Sequence, residues 1–273
     1  MTVLDRKIAP EFKQVNNIEF IHPDNYRLDN GITINSLSGG SQDILKIDFV
    51  FKAGQSQQTK PLIATATNFL MKEGTTKYNS KEIADGVDQY GAFLQSDVSF
   101  DSATFTLYSL SKHLDKVIPY FKSVICNPTF PEAEFKTYQL NAIEKFKINL
   151  EKVSFVGRKE FMCAVFGDEN PLGKNTSLSD YQNLKNEDIV QFYTDFYALE
   201  NCEIIISGKI DQSIIGIINT HFGKEKTGNS KANEIVDFKT TQQQKLFIKK
   251  ENALQSAIRI GRKLPNKLHP DYF

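Results

Sequence analysis

Residues Pro61–Thr75 read PLIATATNFLMKEGT, and the reading of this stretch decides the fold. Leu62, Ala66, Phe69 and Leu70 recur at three- and four-residue steps, the spacing that puts side chains on one face of a helix. Gly74 stands where such a helix would stop. The stretch holds no histidine, and its one carboxylate, Glu73, falls at the far end.

Working outward, the flanking segments alternate between strand and helix patterns. On the N-terminal side, Leu45, Ile47, Phe49 and Phe51 take one face and Lys46 and Asp48 the other, the signature of a half-buried strand. Earlier still, Asn30-Gly31 is a hairpin signal because both residues tolerate positive φ, so two strands should flank it. Residues 1–25 are polar and weakly patterned, and are expected to form an N-terminal arm. On the C-terminal side, Ser80 is expected to cap a helix running to Tyr90, with Gly91 at its end. Two antiparallel strands follow, Ala92–Ser99 and Ser102–Tyr108. In the second, Ala103, Phe105 and Leu107 alternate with Thr104, Thr106 and Tyr108.

Helices are then expected from Ser111 to about Ile125, and from Pro131 to about Leu150 with Phe135, Leu140, Ile143 and Phe146 inward. Others span residues 154–166, Asn186–Tyr197, and Asp211 to about Phe222. A β-branched strand, Ile204–Ser207, lies between the last two. Residues 224–243 shift to Lys, Thr, Asn, Ser and Gln and read as a linker. Beyond it, Lys245–Ile248 and Ala257–Ile260 have strand character. They are read as the start of a second unit, 244–273, apparently truncated because two strands bury no face of their own. The order of elements predicts an α+β fold: a largely antiparallel sheet with helices packed on one face.

Composition narrows the function. The 273 residues carry 33 basic and 33 acidic side chains, a formal net charge of zero that gives no footprint for nucleic acid. Three cysteines, Cys126, Cys163 and Cys202, lie far apart without C-x-x-C spacing, so neither a disulfide framework nor a zinc knuckle follows. The histidines, His22, His113, His221 and His269, are equally dispersed. No apolar run approaches the ~20 residues of a membrane span, and the first residues lack a signal-peptide core. A cytoplasmic protein is the expectation.

A series of motifs carries a resemblance. LDNGITI at 28–34, MKEGT at 71–75, the SKEIADGVDQYGA segment at 80–92 and SKHLDKV at 111–117 come first. NPTFPEAEF at 127–135, NPLGKNT at 170–176, DIVQFYTDFY at 188–197 and IIISGKID at 204–211 follow, and QSAIRIGRKLPNKLHPDYF closes the chain. Together they resemble the N-terminal half of a pitrilysin-type (M16) metallopeptidase plus the opening of its second half, over residues 26–273. The resemblance implies that fold over 26–223.

Active members carry H-x-x-E-H on the first helix. Histidines at i and i+4 share a helical face and can hold one zinc ion, while the glutamate acts as general base on the metal-bound water. Counted back from Gly74-Thr75, these positions are Thr65, Asn68 and Phe69, and the third ligand falls at about Ala142. A threonine hydroxyl is a poor zinc ligand, an asparagine amide takes no proton, and phenyl and methyl groups ligate nothing. The resemblance therefore implies a non-catalytic member with no zinc or other cofactor. Glu73, Glu144 and Glu151 remain as carboxylates that suit Mg or Ca better than Zn.

One family feature can survive this loss. The strand after the second helix pairs its main chain with peptide substrate, which here points to Gln95, Ser96, Asp97 and Val98. The implied partner is a zinc-bearing homologue or a second copy of the chain. Two alternatives stay open at this point: a structural assembly subunit like the core proteins of a respiratory cytochrome complex, and an active zinc peptidase with ligands elsewhere.

Overall fold

In the computed structural model, the described residues are 9, 12, 14, 20–231, 245–265 and 269–272. Much of the expected arm and linker therefore lies outside them.

Six strands form one sheet: β1 (Asp24–Arg27), β2 (Thr33–Ser38), β3 (Ile44–Phe51), β4 (Phe93–Val98), β5 (Ala103–Leu110) and β6 (Cys202–Gly208). Their spatial order is β1-β2-β6-β3-β5-β4, and every pairing is antiparallel except the parallel β2–β6 pair. β1 and β2 flank the Asn30-Gly31 turn, where Gly31 takes φ +89°. Among the described residues eight α-helices accompany the sheet: α1 (Ile63–Leu70), α2 (Ser80–Asp88), α3 (Leu114–Cys126), α4 (Glu132–Leu150), α5 (Val153–Phe166), α6 (Leu178–Gln182), α7 (Asn186–Phe196) and α8 (Gln212–Phe222).

The core follows from the two-residue period of β3 and β5. Leu45, Ile47, Phe49, Phe51, Phe105 and Leu107 are sealed from water on the helix-covered face. Phe49 meets Phe121 of α3 at 5.1 Å and Phe222 of α8 at 4.7 Å between ring centroids. On the opposite face Asp48 is also buried. It accepts hydrogen bonds from Thr106 Oγ1 and Lys46 Nζ, each at 2.6 Å, so its charge is paired where it is withdrawn from water.

Several local expectations are corrected. Asn79, not Ser80, caps α2: its Oδ1 accepts from Glu82 N and its own N donates to Glu82 Oε2, both at 2.9 Å, a reciprocal capping box. Ser80 instead donates its hydroxyl to Glu134 Oε1. On α4, Phe135 and Phe146 point inward but Leu140 is largely exposed, a quarter-turn or more off the buried stripe. The short α6 was not expected from the sequence. Residues 245–265 form no regular strand. Strand residues need a neighbour for their N–H and C=O groups, and none pairs with them among the described residues.

Candidate functional site

α1 and the sheet edge define the candidate site. Ile63, Ala64, Ala66, Thr67, Asn68 and Leu70 of α1 are buried, which leaves Thr65 and Phe69 on the outer stripe one turn apart. The sequence reading put Phe69 on the buried face. In the structure that ring is 38% exposed, and Asn68 takes the inward position at 1%. A 3-10 turn, Met71–Glu73, carries the chain on to Gly74.

Asn68 is held by what surrounds it. Its Nδ2 donates to the Tyr197 hydroxyl at 3.2 Å and lies 3.5 Å from Thr104 O of β5. Its Oδ1 is buried without a hydrogen-bond partner. Tyr197 follows α7 and packs on Phe51 at 4.9 Å. Burial pushes its phenol well above the usual tyrosine range, so it stays protonated throughout the accessible pH range.

Phe69 leans on Tyr138 of α4, with centroids 5.1 Å apart and planes 36° from parallel, and the Lys72 ammonium sits 4.9 Å from the Phe69 centroid. Burial raises the Tyr138 phenol to about 12. Ala142 is one turn beyond Tyr138 on α4 and so shares its side of that helix. Of the four positions, the structure joins Phe69 to α4 through Tyr138 and turns Asn68 toward Tyr197 and β5. Sequence reasoning missed Tyr138 and Tyr197. The first had a legible signal, since Phe135, Tyr138, Ala142 and Phe146 form one helical stripe.

The donor set at these positions does not suit zinc. It comprises a hydroxyl, a primary amide turned into the core, a phenyl ring stacked on a tyrosine and a methyl group. Among the described residues no group of three His, Cys, Asp or Glu side chains is placed to hold a metal ion. Glu144 pairs with Lys147 at 2.7 Å and Glu151 with Lys250 at 3.0 Å. Glu73 is raised above the ordinary carboxylate range, by burial first, then by Glu134, with Lys72 opposing. Burial also raises all three thiols, Cys126 to about 12 and Cys202 well beyond its usual value, so none is an activated nucleophile.

β4 is the outermost strand on its side of the sheet and packs against α1 and α2. Gln95 and Asp97 are exposed, while Ser96 and Val98 are half-buried. At the hairpin Ser99 N donates to Ser102 O at 2.8 Å. The alternation of an antiparallel ladder then turns the N–H and C=O groups of Leu94, Ser96 and Val98 outward. Beyond them the edge is closed: Gln55 N donates to Ser99 O at 3.1 Å and Ser56 N to Phe100 O at 2.9 Å. On this side of the sheet, among the described residues, the unpaired edge is therefore confined to β4.

Two family descriptions match the chain in order: Insulinase (Peptidase family M16) over residues 48–163, and Peptidase M16 inactive domain over residues 183–273. The chain belongs to the M16 peptidase family. The second M16 description begins inside the sheet-and-helix unit and takes in α7, β6 and α8.

Curated relatives include an uncharacterized zinc protease of Rickettsia felis, 24% identical over 69% of this chain and 47% of its own length. Zinc protease PqqE of Helicobacter pylori is 21% identical over 89% of this chain and 57% of its own. The chain spans about half the length of the curated relatives it matches. Among solved structures, the peptidase M16 inactive domain from Pseudomonas fluorescens superposes with a TM-score of 0.72 at 20% identity, covering 80% of this chain and 54% of that one. The periplasmic protease PqqL from Escherichia coli gives 0.70 at 16% identity, covering 82% and 26%. At these identities the superpositions establish the α+β fold. No helix among the described residues is long and apolar enough to cross a membrane.

Proposed function

We propose that this M16 homologue is a non-catalytic partner subunit: it shapes a peptide-binding chamber with a zinc-bearing homologue and holds peptide along β4 without cleaving it. The observation that carries this reading is the chemistry at the α1–α4 crossing. Thr65, Asn68, Phe69 and Ala142 supply neither metal ligands nor a proton acceptor, and Asn68 and Phe69 are built into packing with Tyr197 and Tyr138. Losing one group would leave a vacant ligand position; here all four are replaced, two of them by side chains with structural partners of their own.

Peptide capture needs only main-chain groups, which the outer edge of β4 offers at Leu94, Ser96 and Val98. Gln95 and Asp97, whose side chains face the open side of the sheet, would contact alternate residues of the added strand. A cytoplasmic placement belongs to this proposal and is checked by cell fractionation.

The test is reconstitution. The chain is purified alone and with a zinc-bearing M16 homologue from the same cell, and cleavage of an unfolded peptide is followed. Alone it should show no turnover that a chelator abolishes. The pair should form a stable complex and cleave faster than the homologue by itself. A pair no faster than the homologue sinks the partner role, and chelator-sensitive turnover by the chain alone sinks the non-catalytic one.

A further inference from the structure

Phe69 is poorly explained by packing alone. It is a large apolar ring left 38% exposed on a helix whose residues on either side, Asn68 and Leu70, are sealed. Tyr138 covers part of it and the Lys72 ammonium lies over the ring. Lys72 has no ion-pair partner among the described residues. An exposed ring backed by the half-buried Tyr138, with an ammonium over it that makes no direct ion pair among the described residues, is a surface with defined chemistry: apolar area to cover, and a positive charge beside it.

Its position gives that chemistry a use. α1 packs alongside β4. The Asn68 amide reaches Thr104 O, and Thr104 is opposite Asp97 in the β4–β5 register. Phe69, the next residue, stands on the exposed stripe of the helix that lies against β4, the strand whose Leu94, Ser96 and Val98 turn N–H and C=O groups outward. A strand added at that edge sends every second side chain toward the helix layer, ~7 Å apart. One of these comes down on the α1 rim.

We infer that the Phe69–Tyr138 pair is the side-chain subsite of the β4 edge, taking a large apolar side chain, with an acidic residue next to it meeting Lys72, from an extended peptide. This rests on the strand-edge reading above and adds to it the class of peptide. Main-chain pairing is indifferent to sequence, so any selectivity must come from side chains that meet a surface, and this pair is the apolar surface on the helix side of the edge, the Phe93–Tyr108 stack lying on the other face with Gln95 and Asp97. The position that would hold a ligand in an active relative thereby selects the peptide instead.

The test uses fluorescein-labelled nine-residue peptides in a Ser/Thr host, with Phe-Glu, Ala-Glu or Phe-Lys at the centre, and anisotropy titrations of the full chain. Phe-Glu should bind at least ~10-fold tighter than Ala-Glu, as expected for one large side chain finding an apolar site, and tighter than Phe-Lys at low salt. Phe69→Ala, and independently Tyr138→Ala, should bring the Phe-Glu to Ala-Glu ratio to near one. Ser96→Pro, which removes an outward N–H and which an edge strand tolerates, should weaken all three peptides together.

The two readings fail differently. If no peptide binds, or Ser96→Pro changes nothing, the strand-edge reading fails and the subsite with it. If peptides bind and Ser96→Pro weakens them, but the ratio survives both aromatic substitutions, only the subsite assignment is overturned. Equal affinity for Phe-Lys removes Lys72 from it. If Phe69→Ala instead converts a dimer to a monomer in sedimentation, the ring is covered by a second copy and the assignment also falls.

Discussion

Asn68 concentrates the argument at the scale of single residues. The family resemblance marked it as a motif position, but not that its amide would be turned into the core against Tyr197. Periodicity assigns the stripe of a helix, and it missed by one position, placing Phe69 inward. The competing factor is the crossing of α4, which offers Tyr138 as a partner for the ring. A carboxylate at 68 would be buried with a tyrosine hydroxyl and a carbonyl for company and no cation. Asn68→Glu should therefore destabilise the fold at pH 7 by about 2–4 kcal/mol. Its folded pKa would lie above the unfolded value of ~4.3. The cost is then full above the folded pKa and vanishes below the unfolded one, and urea titrations at pH 7.5 and 4 measure the difference.

Glu73 gives a milder native case of the same sign. Burial raises its pKa, so the folded state binds the proton more tightly than the unfolded state, and ionisation costs stability as pH rises through that window. Glu73→Gln should stabilise the fold at pH 7 by roughly 0.3 kcal/mol, allowing for solvent screening of a half-exposed group. Below pH ~4 the gain should disappear, and paired urea melts read both values.

Elements were more legible than residues. Period-two alternation placed β3 and β5 and sorted their faces correctly, because both strands bury one side against aromatic helix residues. Asn30-Gly31 placed the first hairpin. The Asn79 cap was missed because Asn and Ser both cap well, and only the reciprocal Glu82 contact separates them. α6 was missed because five residues carry almost no periodicity. What no pattern shows is that β4 ends up outermost, since strand order depends on which strands find each other in three dimensions.

α1 itself makes a prediction. Thr65 and Phe69 are both exposed and one turn apart, with Cβ atoms ~5–6 Å from each other on a regular helix. Thr65→His combined with Phe69→His should create a two-histidine site that raises the thermal midpoint as zinc is added, while the natural chain shows no such rise. Peptide hydrolysis should not appear, because Asn68 still cannot accept a proton. Thermal melts with and without zinc, followed by a cleavage assay, test both halves. A midpoint indifferent to zinc would mean that the two side chains do not share a face in solution.

At the scale of the whole molecule, the core has a sharp C-terminal limit. Among the described residues, its contiguous buried cluster runs from Leu28 to Phe222 and includes none after it. Residues 245–265 touch the rest of the structure mainly through polar groups on the α4–α5 corner. Lys250 Nζ donates to Leu150 O at 3.0 Å and Arg259 Nη2 to Ser154 O at 3.2 Å, and Gly261 lies against the Phe161 ring. Exposed polar contacts of this kind contribute less than about 1 kcal/mol each. Phe247, Leu254, Ile258 and Ile260 are meanwhile almost wholly exposed, so this segment keeps apolar side chains in water. Ending the chain at residue 231 should therefore lower the thermal midpoint by no more than about 4 °C, the shift of roughly 1 kcal/mol in a domain of this size. It should also reduce aggregation on heating, because the exposed apolar alternation is gone. Calorimetry and light scattering on the two lengths decide the matter. A fall of about 10 °C or more would place residues 245–273 inside the cooperative unit, and the α5 surface they cross would then have to count as core.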